Sequence, residues 1–120
     1  DEIYTEIRNL RSGRLAVLIT IDFYLLDIGA LREAGIEEPC VAWWEEWSNQ
    51  IREVAERHGA TMVSILDLFN GPDHNIDPAD LGLIGPTEDD ASIALYRTNP
   101  AGAALIADAL TRAGFDFTGP

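Results

Sequence analysis

The run "LAVLITI" at 15–21 limits the fold more than any other stretch of the chain. It is apolar without alternation and has the length of one strand. A strand with one face in water alternates apolar and polar residues, whereas a strand in a parallel sheet is covered on both faces and reads as a continuous apolar run. Phe23 and Tyr24 close this run at its C-terminal end. The stretch "TMVSILDLF" at 61–69 predicts a second strand. A helix between two strands makes a βαβ unit, which implies a parallel pair joined by a right-handed crossover. The expected fold class is therefore α/β, a parallel sheet with flanking helices.

The helical segments follow from the spacing of their apolar residues. Ile3, Ile7 and Leu10 share one face over 2–11. Residues 25–40 predict one short helix stopped by Gly35, then a loop containing Pro39. From 41 onward Trp44, Trp47, Ile51, Val54 and His58 recur at steps of three and four, which makes one face. Trp43 falls off that stripe. Glu53 and Arg57 stand at i,i+4 on the opposite side, and Gly59 supplies the stop. Near the C-terminus Asn99 caps a helix with Pro100 at its first position, and Leu105, Ile106, Ala109, Leu110 and Ala113 form the apolar face. Between lies a long connection, 70–98, rich in Gly, Pro, Asp and Asn. Two strands are few for this many helices. The free edge of the first strand predicts pairing with a preceding segment or with a second copy of the chain.

Charge narrows the partners. The chain has 120 residues and a formal net charge of −13, from 21 acidic and 8 basic side chains. All the basic residues are Arg. Such a field repels phosphate backbones and anionic lipid, which argues against nucleic-acid and membrane-surface binding. No apolar run reaches the roughly 18 residues that a membrane-spanning helix needs. Cys40 is the only cysteine, so no intrachain disulfide can form. It has no histidine near it in sequence, and neither a catalytic nor a metal role is expected of it.

Few residues in the chain are suited to chemistry. His58 ends the Trp-rich helix and reads as a packed or helix-terminal residue. His74, in "GPDHNID", follows the C-terminal end of a strand, where ligands of open α/β sheets bind. It is a weak catalytic candidate and reads first as a solvent-exposed loop histidine. Ser12, Ser48, Ser64 and Ser92 lack a Gly-x-Ser-x-Gly or Gly-Asp-Ser setting, with Ser48 inside a helix and Ser64 inside a strand. Asp73, Asn75 and Asp77 alternate like the first ligands of a calcium loop. The pattern then fails, because Pro78 stands where Gly is wanted and Ile84 where Glu is wanted. Asx-type turns explain these side chains more simply than a metal does, and no cofactor is implied.

Four stretches, taken in order, resemble the C-terminal half of an SGNH (GDSL-type) hydrolase. They are "TIDFY", "WEEWSNQIREVAERHGA", "FNGPD" with "DPADLGLIG", and "TNPAGAALIADAL", which is similar to that family's HxNxxGxxxIAxxL ending. The resemblance spans nearly the whole chain. It implies a flavodoxin-like α/β fold in which residues 1–120 are a single domain or the C-terminal segment of a larger one. They would supply the last βαβ unit and the C-terminal helix. It also implies a serine esterase acting on small esters. In that chemistry a serine attacks the acyl carbonyl, a histidine takes its proton, an aspartate three residues earlier orients the histidine, and donors including a Gly and an Asn hold the oxyanion.

The blocks that carry the serine and the oxyanion donors have no counterpart here. In the last block Arg97 stands at the family's histidine position and Ala94 at its aspartate position. Arginine stays protonated at any working pH and cannot act as a general base. As a structural residue it would pair with the acidic loop before it. Asp89 and Asp90 lie in that loop, and Asp90 is a weak stand-in for the missing acid, though at the wrong spacing. The expectation is a part of an esterase that is inactive by itself. As the sequence opens on Asp1, it is read as processed, trimmed, or the rear piece of a longer protein. The alternative is a non-catalytic α/β module that self-associates or binds a partner through an open sheet edge.

Overall fold

A computed structural model of the protein describes residues 1–10 and 18–115. Within them the order is α1 (Glu2–Leu10), β1 (Ile19–Ile21), α2 (Ile28–Glu33), α3 (Glu37–Arg57), β2 (Thr61–Val63), α4 (Ile65–Asn70) and α5 (Pro100–Arg112). The fold is mixed α/β. β1 and β2 pair in parallel, with Ile19 opposite Thr61 and Ile21 opposite Val63, and α3 makes the long crossover between them. Residues 15–17, the first three of the predicted strand, and 11–14 before them lie outside the described residues; Leu18 is described, and its carbonyl accepts from the Thr61 amide.

β1 is not covered on both faces. Ile19 and Thr20 are half-buried, while Ile21 is 46 % exposed. The reason is its position, since among the described residues β2 is its only neighbour and its other edge has no strand beyond it. The stretch 61–69 is not one strand either. It changes to helix at Ser64, whose hydroxyl oxygen accepts from the Asp67 amide (3.2 Å) and caps α4. The Ser-x-x-Asp spacing is a helix-start signal, and here it overrides the β-branched and aromatic residues around it. Ser64 is therefore an N-cap and not a strand residue.

Two apolar clusters hold the chain together. One joins the sheet, α4 and the 83–84 segment to α5. Val63, Ile65, Phe69, Leu83 and Ile84 are buried in it, and Leu105, Ile106, Ala109, Leu110 and Ala113 pack against them. That is the α5 face expected from sequence. The other cluster holds Leu25, Ile28 and Leu66, with Leu31, Val41 and Trp44 around them, and joins α2 to α3.

α3 begins earlier than the spacing suggested. Pro39 sits in its first turn, where the missing N–H is one of the donors a helix leaves unpaired anyway. Its buried positions are Ser48 and Ala55, not the Trp stripe. These small residues let the helix approach the sheet closely, which leaves the larger Trp44 and Trp47 half-buried at its flank and Trp43 63 % exposed. Arg57 does not pair with Glu53. Its guanidinium lies 3.5 Å from Asp1 instead. His58 caps α3 at its C-terminus, stacks on Tyr4 with ring centroids 4.9 Å apart, and has Nε2 2.9 Å from Asp1. α1 is held there, with the Tyr4 hydroxyl also bonded to Thr20. Ile3 and Leu10 remain exposed at 74 % and 75 %, so α1 does not bury the whole of its expected face.

Candidate functional site

The C-terminal ends of the two strands face the segment that leads into α5. Asp22 directly follows β1 and is 1 % exposed. It accepts from the Ser48 hydroxyl of α3 (2.5 Å), the Ser64 hydroxyl after β2 (2.8 Å) and the Leu66 amide of α4 (3.0 Å). One carboxylate thus ties together the strand end, the crossover helix and the N-terminus of α4, where a negative charge is stabilised by the helix dipole. Ser48 and Ser64 both donate to this carboxylate.

Asn70, fully buried, does similar work at the other end of α4. Its Oδ1 accepts from the Leu25 amide (2.8 Å), and its Nδ2 donates to the carbonyls of Leu25 and Ile76 (3.0 Å each). Neither Asp22 nor Asn70 stood out in the sequence as a site residue. The available signal was a polar side chain directly after a buried element, where backbone groups are left without ladder partners.

The segment 94–98 crosses the end of β1. The Tyr24 hydroxyl donates to the Tyr96 carbonyl (3.1 Å) and lies 3.2 Å from the Thr98 hydroxyl. The Tyr96 hydroxyl donates to Asp27 (2.9 Å), the N-cap of α2. That contact holds the Asp27 carboxyl below its usual range, after the larger effect of the Ala30 amide, and raises the Tyr96 phenol. Further along, Gly85 and Asn99 donate their amides to the carbonyls of Arg97 and Leu83, and Ile84 bridges Thr98 antiparallel. The long connection is therefore a chain of turns pinned at both ends.

Ala94 and Arg97 lie in this segment, joined by a turn in which the Arg97 amide donates to the Ala94 carbonyl (2.9 Å). Both are exposed. The expected pairing of Arg97 with the acidic loop is absent, as the guanidinium makes no ion pair among the described residues. Asp90 does not reach toward it. Its carboxylate accepts from the Ser92 hydroxyl (2.6 Å) and amide (2.9 Å), which lower its pKa in that order.

His74 is not the exposed loop residue expected. Its side chain is 14 % exposed, with Nδ1 2.8 Å from Glu45 on α3 and Nε2 2.5 Å from Asp67 on α4. With a carboxylate on each nitrogen, it has no free nitrogen with which to take a proton from a nucleophile. The calcium-like trio is drawn apart. Asp77 caps α2 through both oxygens, accepting from the amides of Ile28 and Gly29, whereas Asp73 and Asn75 line a separate cleft beside Glu37, Glu38 and Glu45. Among the described residues no group of three or more His, Cys, Asp or Glu side chains is placed to hold a metal ion. No helix among them is long and apolar enough to cross a membrane. Comparison with known proteins gives no match for this chain, whether to a family model, to a curated protein or to a solved structure.

Proposed function

We propose that the chain is the C-terminal part of a flavodoxin-like SGNH-type serine esterase scaffold, and that it does not hydrolyse esters by itself. The observation that carries this reading is the fastening of 94–98 across the C-terminal end of β1 by Tyr24. An acid three residues ahead of a base on that turn would stand at the edge of the sheet where open α/β folds do their chemistry. Here the two positions hold Ala94 and Arg97. A guanidinium does not release its proton at working pH, so it cannot activate a serine. Nor is a serine among the described residues ready to be activated, since Ser48 and Ser64 hydrogen-bond Asp22 and Ser92 bonds Asp90, while Ser12 lies outside those residues. The outer edge of β1, which has no strand partner among the described residues and has Ile21 46 % and Phe23 61 % exposed beside it, is the place for a completing strand from another segment or chain.

Hydrolysis of a short p-nitrophenyl ester tests the claim of inactivity. The purified chain is expected to release p-nitrophenol no faster than a heat-denatured sample of equal concentration. Saturable turnover that an organophosphonate abolishes would overturn it.

A further inference from the structure

We propose that His74 is a pH-sensitive latch, which holds the tip of the 71–77 loop against α3 and α4 while its ring carries both protons and loosens when one is lost. The geometry requires this dependence. An ionised carboxylate only accepts hydrogen bonds, so Nδ1 and Nε2 can donate to Glu45 and Asp67 together only as an imidazolium. A neutral ring keeps one donor and turns a lone pair toward the other carboxylate.

The loop around His74 is fastened on its far side by contacts in which the ring takes no part. The Ile76 amide donates to the Asn70 carbonyl (3.1 Å), Asn70 Nδ2 donates to the Ile76 carbonyl, and Asp77 caps α2. Among the described residues His74 supplies the side-chain hydrogen bond from the tip to α3, and it does so with a left-handed backbone, φ 52°. That conformation is uncommon outside glycine, so the side-chain bonds hold the tip against a backbone preference.

Beneath the tip lies a polar cleft of about 140 Å³ lined by Glu45, Ser48, Asn49, Arg52, Asp67 and His74. Loosening the tip therefore opens a route to Ser48 and the Asp22 junction. The charged groups around the ring are Glu45 and Arg52 from α3, Asp67 from α4 and Asp73 from its own loop, with Glu37 and Glu38 along the neighbouring cleft. Five of these six are acids. Burial pulls the ring's pKa down, but the bonds to Asp67 and then Glu45 outweigh it, and the net direction is up. A raised histidine adds stability that is fully present below its unfolded value, near 6.5, and lost as pH rises through the folded one. The closed state is the acid-side state.

Two measurements on the intact chain test the latch. The ring nitrogens of His74, assigned by NMR against a His58→Gln variant, are expected to keep imidazolium shifts at pH 6.5, where an unperturbed histidine is half neutral. The protection factor of the His74 amide, which donates to the Gly71 carbonyl (3.2 Å), is expected to fall at least tenfold as the ring titrates, and to be low and flat with pH at the same position in His74→Gln. A ring already neutral at pH 6 would overturn the proposal. So would wild-type protection of the His74 amide that does not change as the ring titrates. The ring titration is read on the wild type, so the test stands even if the variant folds poorly.

Discussion

Replacing Gly102 by alanine is expected to destabilise the chain by roughly 3 kcal/mol or more, although alanine is the better helix former by about 1 kcal/mol. An added Cβ would lie 2.2 Å from the Leu83 carbonyl oxygen and 2.9 Å from the Thr98 methyl group. The first obstacle is backbone and cannot rotate away. α5 would have to withdraw from the 83–84 segment, and the contacts that register it there would go with it. These are the Asn99 amide bond to the Leu83 carbonyl (3.1 Å), the Asn99 Nδ2 bond to the Gly82 carbonyl (2.9 Å) and the Ile84–Thr98 bridge. The same movement would displace Arg97 and the turn before it. Urea denaturation of Gly102→Ala checks this, with Ala103→Gly on the exposed side of the helix as the control. The control is expected to lose only about 1 kcal/mol. A Gly102→Ala chain as stable as wild type would mean that α5 does not press on Leu83.

Asp22→Ala is expected to cost on the order of 3–5 kcal/mol, since it leaves the Ser48 hydroxyl, the Ser64 hydroxyl and the Leu66 amide without their acceptor, at about 1–3 kcal/mol for each buried group left unpaired. These donors come from α3, the end of β2 and α4, so the loss is felt across the βαβ unit and not at one contact. For a chain of this length it corresponds to a melting temperature lower by roughly 12–20 °C. Asp22→Asn keeps the shape and one acceptor oxygen but turns an NH2 group toward donors, and it should fall between. A paired Ser48→Ala, Asp22→Ala variant should lose less than the sum of the single losses, because one orphaned donor is removed with its acceptor. Thermal melts of the set check both statements. Additive losses would remove Asp22 from the centre of the junction.

Much of the fold could be read from local patterns. The apolar run at 15–21, the crossover helix and the Asn99-Pro100 helix start each carry their own signal, and the parallel pairing follows from a helix connecting the two strands. The misreadings share a cause, which is competition between a local signal and an apolar pattern. "TMVSILDLF" looks like one strand because its residues favour strands, yet Ser64 and Asp67 begin a helix within it. The Trp stripe of α3 looks like its buried face, yet the closest packing falls on Ser48 and Ala55 because small residues permit it.

The candidate site was less legible, because its polar contacts join residues far apart in sequence. Asp22 meets Ser64 across 42 positions, and His74 meets Glu45 across 29. No periodicity reports such pairs. Arg97 and Ala94 are different, as their identities exclude a base and its orienting acid without any geometry.

The most direct test of the account joins this chain behind the front portion of an SGNH-type hydrolase that carries its serine and oxyanion donors. Ester turnover is then compared for the unchanged chain and for one with Ala94→Asp and Arg97→His. If the scaffold keeps the family's geometry and lacks only the acid and the base, the substituted fusion should turn over at least about 100-fold faster, the lower end of what a positioned general base contributes. Two folded fusions with equal, background rates would contradict the account.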